Sequence, residues 1–297
     1  MLTDKRLNEA YKNAKEIPFD DNSNYIFFSD VHRGDNSMSD EFAHNQSTYY
    51  HALQYYYEKE YTYVEVGDGD ELWEHAKFDY VRRAHSDVYE LLKKFYNSNR
   101  FIMLFGNHNI VLNNPYFVEK NLYYYYDDYS GKKESLFPGI NVYESIILKH
   151  KQTSQEIFVV HGHQGDFIND QFWRVSMLLL RYFWRYMHIV GFRNPASPAK
   201  NVYKQHKIER NFNKWNRLNG RMMICGHTHR PKFPSKGEMP YFNTGCCVHP
   251  RGITGIEISN GEIMMVNWGI TPDKDGFLQI VRTVIHGPVK ITDFEER

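Results

Sequence analysis

Five short polar blocks in this sequence contain residue types that bind metal ions, and each block follows directly on an apolar run. The blocks are Asp30-Val31-His32, Gly67-Asp68, Gly106-Asn107-His108-Asn109, His161-Gly162-His163 and Gly226-His227-Thr228-His229. Carboxylate, imidazole and one amide oxygen form a ligand set of borderline hardness, which suits Mn²⁺, Fe or Zn²⁺ better than Ca²⁺ or the thiolate metals. A single residue between two ligands lets both side chains leave one strand end and reach one cluster. The sequence therefore predicts a metal centre.

The number of candidate ligands predicts two divalent ions. The seven candidates are Asp30, His32, Asp68, Asn107, His161, His227 and His229. They exceed what one ion needs from a protein, and Asp68 has two oxygens with which to bridge a pair. Two cations about 3.5 to 4 Å apart lower the pKa of a shared water, so that a hydroxide exists at neutral pH and can attack an electrophile such as phosphorus in line with the leaving oxygen. We therefore expect a hydrolase that uses two Mn²⁺ ions, with Fe and Zn²⁺ as alternatives, and a phosphoester is one substrate on which such a centre could act.

Phosphoryl transfer also requires positive charge around the equatorial oxygens of the phosphate. Arg33 follows directly on His32 and is the expected source of that charge. The alternative is an arginine in a surface loop. The functional interpretation predicts that the guanidinium of Arg33 contacts the substrate.

The apolar runs before the blocks predict short buried strands, at residues 25–29, 61–66, 100–105, 156–160 and 221–225. Residues 46–59 and 78–96 lie between the first three runs and have apolar residues at helical spacing. Alternating strands and helices predict an α/β sheet, whose ligands bind where the strands end. The later apolar runs predict a second, more antiparallel sheet, at residues 140–150, 241–245, 253–259 and 261–268.

The expected fold is therefore α/β, with two stacked sheets in a sandwich flanked by helices. We expect one catalytic domain over residues 1–297, with a helical insertion at residues 164–220. Lys and Arg number 36, as do Asp and Glu, and this balance disfavours dedicated binding of nucleic acid. Three Cys residues cannot form a disulfide framework, and residues 1–17 contain no apolar signal core. These features predict a cytoplasmic protein.

The expected insertion contains a segment, residues 172–192, that combines large apolar side chains with a stripe of basic ones. The basic residues are Arg174, Arg181, Arg185 and His188. On a helix these four lie along one face, and their charges make the segment too polar to cross a membrane. Three interpretations stay open: a core helix with an arginine edge, an interfacial membrane helix, or an apolar lid over a site that takes phosphate.

The order of the five blocks resembles the calcineurin-like metallophosphoesterases, whose motifs run D-x-H, GD-x-x-D/E, GNHD/E, H and GH-x-H. The resemblance extends from Asp30 to about Gly245 and implies a double β-sandwich flanked by helices. It also implies that His108 donates to the phosphoryl oxygen or the leaving group. The ligands would fall into two sets that share Asp68: Asp30, His32 and His229 for one ion, and Asn107, His161 and His227 for the other.

Two positions depart from the family pattern or leave it ambiguous. Asn109 stands where relatives have the acid that pairs with the histidine, so we expect a lowered pKa for His108. In the second block both Asp70 and Glu71 are candidates for the acid beyond Asp68. Glu71 fits the family spacing, and we expect Asp70 to be solvated or to lie outside the ligand shell.

The chain after the fourth block most resembles the UDP-2,3-diacylglucosamine pyrophosphatases, in which H-G-x-x-x-D precedes a helical hydrophobic lid. Residues 161–166 read HGHQGD, and the chain returns to the predicted sheet at Arg221. The resemblance implies a small phosphorylated substrate with an apolar moiety, cleaved at a pyrophosphate or phosphodiester linkage to a nucleotide or lipid. We expect Arg181 and Arg185 to bind this substrate, and the 172–192 helix allows peripheral contact with a membrane.

Three alternative functions share parts of this pattern. A phosphoprotein phosphatase normally continues its second block into an Asp-Arg-Gly loop, which GDGDELW lacks. A nuclease needs a basic path for the nucleic-acid backbone, which a zero net charge does not offer. A non-catalytic module that retains the fold would show the loss of a ligand. All seven ligand positions are filled, which favours catalysis.

Overall fold

A computed structural model describes residues 2–184 and 202–294. The α-helices in these ranges are α1 (Leu2–Lys12), α2 (Gln46–Glu58), α3 (Phe78–Ala84), α4 (Ser86–Asn97), α5 (Pro115–Leu122), α6 (Trp173–Leu179) and α7 (Val202–Asn219). The strands are β1 (Lys15–Phe19), β2 (Tyr25–Phe28), β3 (Thr62–Val66), β4 (Phe101–Leu104), β5 (Tyr124–Asp127), β6 (Lys132–Ser135), β7 (Val142–Tyr143), β8 (Ser145–His150), β9 (Glu156–Val160), β10 (Met222–Cys225), β11 (Tyr241–Asn243), β12 (Ile253–Ser259), β13 (Glu262–Pro272) and β14 (Leu278–Lys290). Two π-helical turns, Phe167–Gln171 and Leu180–Trp184, lie on either side of α6.

The strands form two main sheets and one small hairpin. A seven-stranded sheet has the order β14-β13-β12-β2-β3-β4-β7, and a five-stranded sheet has the order β1-β8-β9-β10-β11. Strands β5 and β6 pair only with each other. The predicted α/β class and the two-sheet architecture are confirmed.

The side chains between the two sheets form an apolar core. Phe27 and Val64 come from the seven-stranded sheet, and Leu148, Val159 and Ile224 come from the five-stranded sheet; all five are fully buried. Because neighbouring residues of a strand point to opposite faces, the residues between these positions face outward from the sandwich. The strands that precede the polar blocks are therefore buried on both faces, which explains their unbroken apolar runs.

Helices cover the outer face of each sheet. Ile26 and Phe28 of β2 belong to one buried cluster with Leu92 of α4. On the other side, Leu7 of α1 and Trp215 of α7 pack in the cluster that covers the five-stranded sheet. The molecule thus has a helix-sheet-sheet-helix order, although β14 and the end of β13 leave part of the larger sheet exposed to water.

Two sequence predictions about these elements were wrong in detail. The late strands do not form a separate antiparallel sheet, because β12 pairs with β2 and extends the first sheet, while β9 and β10 pair in parallel in the second. The helix predicted over residues 78–96 is broken between α3 and α4 at His85, whose ring turns inward to Asp40 and Gln46 at 2.8 Å each. Both differences depend on contacts with residues far away in the chain.

The predicted insertion lies between β9 and β10 and includes α6 and α7. No residue of helix α6 is buried, so this part of the 172–192 segment is not a core helix. Arg185 and His188 lie outside the described residues. Among the helices of the described residues, none is long and apolar enough to span a bilayer.

Candidate metal centre

The five polar blocks meet at one edge of the sandwich. Strands β2, β3 and β4 run parallel in one sheet, β9 and β10 run parallel in the other, and each block starts where its strand ends. Ligand atoms of Asp30 and His32, from the first sheet, lie within 4.8 Å of one on His229, which follows β10. The carboxyl ends of the two sheets therefore face each other across a single site.

Five of the seven predicted ligands have a left-handed backbone conformation. The φ angle lies between 51° and 67° at Asp30, His32, Asp68, His227 and His229. This conformation costs a non-glycine residue about 1 to 3 kcal/mol, so the surrounding structure must hold it in place. The amides of Asp30 and His32 donate to the carbonyl oxygens of Gly67 and Asp68, at 3.1 and 2.9 Å. The chains that follow β2 and β3 thus remain paired at the site.

Glycines precede the ligands because there is no space for a Cβ atom. A Cβ on Gly106 would lie 2.3 Å from Oδ1 of Asp68, and one on Gly226 would lie 2.6 Å from Oδ2 of Asp30. Carboxylate oxygens therefore pass directly over the neighbouring backbone.

Asp30, His32 and His229 form the first candidate ligand cluster, and their ligand atoms lie within 4.8 Å of one another. The Nε2 atoms of His32 and His229 are 3.3 Å apart, and Oδ1 of Asp30 lies 3.0 Å from Nε2 of His229. Two ligands at about 2.1 Å from a common ion are about 3.0 to 3.4 Å apart in octahedral or tetrahedral geometry. Two of the three separations fit one shared cation, and the third, 3.9 Å between Nε2 of His32 and Oδ1 of Asp30, is wider than this range.

Asp68, His161 and His227 form the second cluster, again with ligand atoms within 4.8 Å. Nε2 of His161 lies 3.0 Å from Oδ2 of Asp68, while Nδ1 of His161 is 2.8 Å from the carbonyl oxygen of Val66. The Val66 carbonyl requires the proton on Nδ1, which leaves the lone pair on Nε2 free for a metal. Asn107 is buried, and its Oδ1 has no hydrogen-bond partner within residues 2–184 and 202–294.

The donor atoms of this site fit divalent cations. Among the described residues, Oδ1 of Asn107 is buried without a hydrogen bond, which is costly unless another partner is present. Burial alone would raise the pKa of Asp30 and of Asp68, yet the protonated forms of the neighbouring histidines, chiefly His229 and His161 respectively, hold both values well below normal. Both carboxylates are therefore ionised, and a divalent cation would take the place of the proton on the ligand nitrogen of each histidine.

Glu71 connects the first cluster with the predicted acid, His108. Its carboxylate lies 2.9 Å from Nδ1 of His32 and 2.7 Å from Nδ1 of His108. Burial opposes the protonated form of His108, but the charges of Glu71 and Asp68 outweigh it and raise its pKa to about 9. Trp73 stacks on the His108 ring with centroids 4.4 Å apart. The ring of His108 is thus held from two sides.

The expectation of a lowered pKa for His108 was wrong, because the acid that pairs with it is Glu71. Asn109 is fully buried and its Oδ1 accepts a hydrogen bond from the amide of Gly106 at 2.7 Å, which stabilises the loop. Of the two alternatives for Asp70, the solvated one was wrong, and the carboxylate lies outside the candidate ligand clusters of the described residues. Asp70 is fully buried and accepts hydrogen bonds from Arg33 and Tyr89.

Arg33 does not contact the substrate region as predicted. Its side chain is fully buried, with Nη1 and Nη2 at 2.7 and 2.9 Å from the carboxylate of Glu65, and Nε at 2.7 Å from Asp70. Two buried carboxylates require a buried cation, and this requirement decides the place of the guanidinium. Arg33 thus forms structural ion pairs with Glu65 and Asp70 beneath the site.

Arg181 also has a different contact from the one predicted. Its Nε and Nη2 donate to the backbone carbonyls of Trp73 and Leu72, each at 2.9 Å. Two of its donors are therefore engaged by the protein itself. Arg185, the other predicted substrate residue of the insertion, lies outside the described residues.

Three residues near the site were not found from the sequence. Trp73 stacks on His108, Asp166 places Oδ2 at 3.4 Å from Nε2 of His227, and Ser29 donates to Oδ2 of Asp30. Asp166 is the acid of the quoted H-G-x-x-x-D pattern, so the sequence alone could have indicated its place near the site. Trp73 and Ser29 carry no local signal, because only the fold brings them to their partners.

Comparison with known proteins places this chain in a family. The family model of the calcineurin-like phosphoesterases matches residues 23–231. The chain belongs to the calcineurin-like phosphoesterase family, and it is a metal-dependent phosphoesterase, a class of hydrolase that uses a dinuclear centre of divalent metal ions.

The comparisons with individual proteins are more distant. Vacuolar protein sorting 29 from Cryptosporidium parvum is 12% identical over 90% of this chain and 100% of its own, with a TM-score of 0.38. A protein described as a 5'-nucleotidase from Staphylococcus aureus, solved with α-ketoglutarate, is 16% identical over 90% of this chain and 54% of its own, with a TM-score of 0.36. No curated protein matches the sequence.

Proposed function

We propose that this protein hydrolyses phosphoesters with two divalent cations held by the seven residues predicted from the sequence. The observation that carries the proposal is the approach of ligand atoms from both sheets to within 4.8 Å of one another, in two adjacent clusters. One cluster is Asp30, His32 and His229. Asp68, His161 and His227 form the other, and we assign Asn107 to it because its amide oxygen is buried without a hydrogen-bond partner among the described residues. Mn²⁺ is the expected metal, because the ligands combine imidazole with carboxylate and lack thiolate.

The protein's own residues would orient the reaction and supply its proton. When bound, a pair of divalent cations activates a water for attack and neutralises charge on the phosphoryl oxygens. His108 is protonated at neutral pH because Glu71 and Asp68 raise its pKa to about 9, and it donates that proton to the leaving oxygen. Glu71 engages Nδ1 and so leaves Nε2 of His108 as the donor. Because Arg33 is buried in its ion pairs with Glu65 and Asp70, His108 would supply the positive charge that the sequence predicted for Arg33.

The proposed substrate is a small phosphorylated molecule with an apolar or aromatic moiety, cleaved at a pyrophosphate or phosphodiester bond. Support comes from the described part of the insertion, where apolar side chains are about half exposed: Phe172, Val175, Leu178, Leu179, Tyr182 and Phe183. Exposed apolar surface of this kind is typical of binding sites and membrane contacts. We therefore also propose a cytoplasmic protein that contacts a membrane peripherally through the 172–192 segment.

We propose one catalytic domain over residues 1–297, with residues 164–220 inserted in it. Strand β1 belongs to the five-stranded sheet and β14 to the seven-stranded sheet, so segments near both ends of the chain take part in the sandwich. The segment between β9 and β10 leaves the second sheet and returns to a neighbouring position in it.

The Asp68→Asn variant tests the dinuclear assignment. The amide keeps the shape of the side chain but removes the charge and a metal-binding oxygen. We expect metal content measured after dialysis against Mn²⁺ to fall, and hydrolysis of bis-p-nitrophenyl phosphate to fall by about 100-fold or more. Asp275→Asn, at the exposed tip of the β13–β14 hairpin, is the matched control and should change neither quantity. Full metal content and activity in Asp68→Asn would contradict the bridging role.

A substrate screen tests the proposed specificity. Nucleotide sugars, CDP-linked lipids, cyclic nucleotides, phosphopeptides and single-stranded DNA would be compared at saturating Mn²⁺. The proposal predicts the highest kcat/KM for a pyrophosphate or diester with an apolar group. Preference for phosphopeptides would indicate a phosphoprotein phosphatase, and preference for DNA a nuclease. No hydrolysis with any divalent ion would indicate a non-catalytic module.

A further inference from the structure

The insertion touches the catalytic site through Arg181. This residue lies in the π-helical turn Leu180–Trp184, and its Nε and Nη2 donate to the carbonyl oxygens of Trp73 and Leu72, both at 2.9 Å. A planar guanidinium that donates in a fork to two adjacent carbonyls defines direction as well as distance, which a single ammonium group cannot do. The contact therefore fixes residues 72–73 relative to the insertion.

The segment held by Arg181 is also the segment that holds His108. Glu71, directly before Leu72, bonds to Nδ1 of His108 at 2.7 Å, and the Trp73 ring stacks on the His108 ring at an interplanar angle of 22°. Glu71, Leu72 and Trp73 are each less than 9% exposed. A shift of residues 71–73 would therefore move both groups that orient His108.

The described insertion is anchored on either side of this stretch, by Asp170, which pairs with Arg6 at 2.9 Å, and by Trp215 of α7, but residues 171–184 themselves have few buried side chains. Of residues 171–184, Leu180 alone is buried, and the neighbouring apolar side chains Leu178 and Leu179 are 48% and 53% exposed. Apolar packing in this stretch is thus limited to one residue next to Arg181. Among the described residues, the hydrogen bonds of Arg181 are therefore the main contact between the π-helical turn Leu180–Trp184 and residues 72–73.

We infer that Arg181 is a positioning residue for hydrolysis, which holds residues 71–73 so that Glu71 and Trp73 keep His108 aligned with the leaving group. The inference deepens the proposed function and rests on it. It differs from a role in binding the substrate's phosphate, because Nε and Nη2 are committed to backbone carbonyls. Loss of Arg181 should consequently impair the hydrolysis of every phosphoester, including small ones that never reach the insertion.

Three variants test this inference with bis-p-nitrophenyl phosphate and Mn²⁺-loaded protein. Arg181→Ala should lower kcat by about 10- to 100-fold with little change in KM, since a misplacement near 1 Å can cost that much. Arg181→Lys should restore little of the loss, because its rotatable ammonium group lacks the planar fork that fixes the direction of both hydrogen bonds. Arg174→Ala is the control, since Arg174 is exposed in α6 and lies over the Trp173 ring at 5.4 Å. Metal content should be normal in all three variants.

Hydrogen exchange gives a second measurement that does not depend on activity. The amides of residues 71–75 should exchange faster in Arg181→Ala than in the wild type, while those of the distant β13–β14 hairpin should not change. If Arg181→Ala does not fold, Arg181→Lys is judged by the same kcat and exchange criteria.

Several outcomes would overturn the inference. A raised KM with unchanged kcat would show that Arg181 binds substrate, and kcat and exchange rates equal to those of Arg174→Ala would show that the contact has no role. A wild type without activity on any phosphoester would contradict the proposed function itself. An active wild type with an equally active Arg181→Ala variant would contradict the positioning role alone.

Discussion

At the scale of single residues, Glu71 has the most connected position in the site. One carboxylate bonds to His32, a predicted metal ligand, and to His108, the predicted acid. Burial would raise the pKa of Glu71, but the two histidines, His108 foremost, hold it well below normal, so the group stays ionised. Because Glu71 is negative, it favours the protonated form of His108. The protonation state of the acid therefore depends on this one side chain.

The Glu71→Gln variant should change the pH dependence of hydrolysis. A general acid must be protonated, so activity falls as pH rises through its pKa. The pKa of His108 is raised to about 9 by Glu71 and Asp68, and removal of the Glu71 charge must lower it. We expect the descending limb of kcat against pH to move to lower pH, measured at saturating Mn²⁺ so that weaker metal binding does not contribute.

The wild type measured in the same buffers is the control for that shift. A descending limb at the same pH in both proteins would contradict the role of Glu71 in raising the pKa of His108. If the plateau of kcat were also lower in the variant, the loss would show that Glu71 acts only through His32 and the metal.

At the scale of elements, the site is built from the chain that follows each strand. The loops after β2 and β3 remain paired, with Arg33 and Asp70 in an isolated bridge and the amide of Arg33 donating to Gly69. Beneath this pairing, the guanidinium of Arg33 joins Glu65 of β3 to Asp70 of the following loop. The charged cluster thereby fixes the geometry of two loops that carry Asp30, His32 and Asp68.

The Arg33→Ala variant should lose stability more than substrate affinity. Glu65 and Asp70 would be left buried without a cation, which typically costs about 3 to 5 kcal/mol. Unfolding in urea measures this loss. Arg83→Ala is the control: Arg83 pairs with Asp79 and Asp128 at the surface and is 45% exposed, and such pairs contribute less than about 1 kcal/mol. A stable Arg33→Ala protein with a raised KM would instead restore the substrate-contact hypothesis.

At the scale of the whole molecule, the metal centre joins the two sheets. The seven-stranded sheet supplies the blocks that contain Asp30 and Asp68, and the five-stranded sheet supplies those that contain His161, His227 and His229. Buried carboxylates of the first sheet meet histidines of the second, with Asp30 3.0 Å from His229 and Asp68 3.0 Å from His161. Bound ions would therefore stabilise the sandwich as well as the reaction.

Removal of metal should lower the melting temperature. Mn²⁺ at 100 times its Kd stabilises the folded state by about 2.7 kcal/mol for one site, which corresponds to about 5 °C or more for a chain of this size. Thermal melts with EDTA and with excess Mn²⁺ measure the difference. In Asp68→Asn the two melts should nearly coincide. Coincident melts in the wild type would contradict metal binding between the sheets.

Much of the site could be predicted from the sequence because its chemistry is local to strand ends. Asp30 and His32 are predicted ligands separated by a single residue after an apolar run, and so are His227 and His229. A short stretch of sequence therefore shows both the strand and the metal-binding residue types. The same stretch contains the glycines that the close approach of carboxylates requires. The alternation of strands and helices predicted the α/β sandwich for the same reason.

The tertiary structure decided which distant groups become partners. The sequence predicted the neutral Asn109 as the partner of His108, and Arg33 and Arg181 as substrate-binding residues. In the fold His108 instead pairs with Glu71, Arg33 is buried between Glu65 and Asp70, and Arg181 donates to the backbone of residues 72–73. The fold likewise joins β12 to β2. Residue types and strand ends follow from local sequence, whereas the partner of a buried charge or of a late strand depends on which distant segment packs beside it.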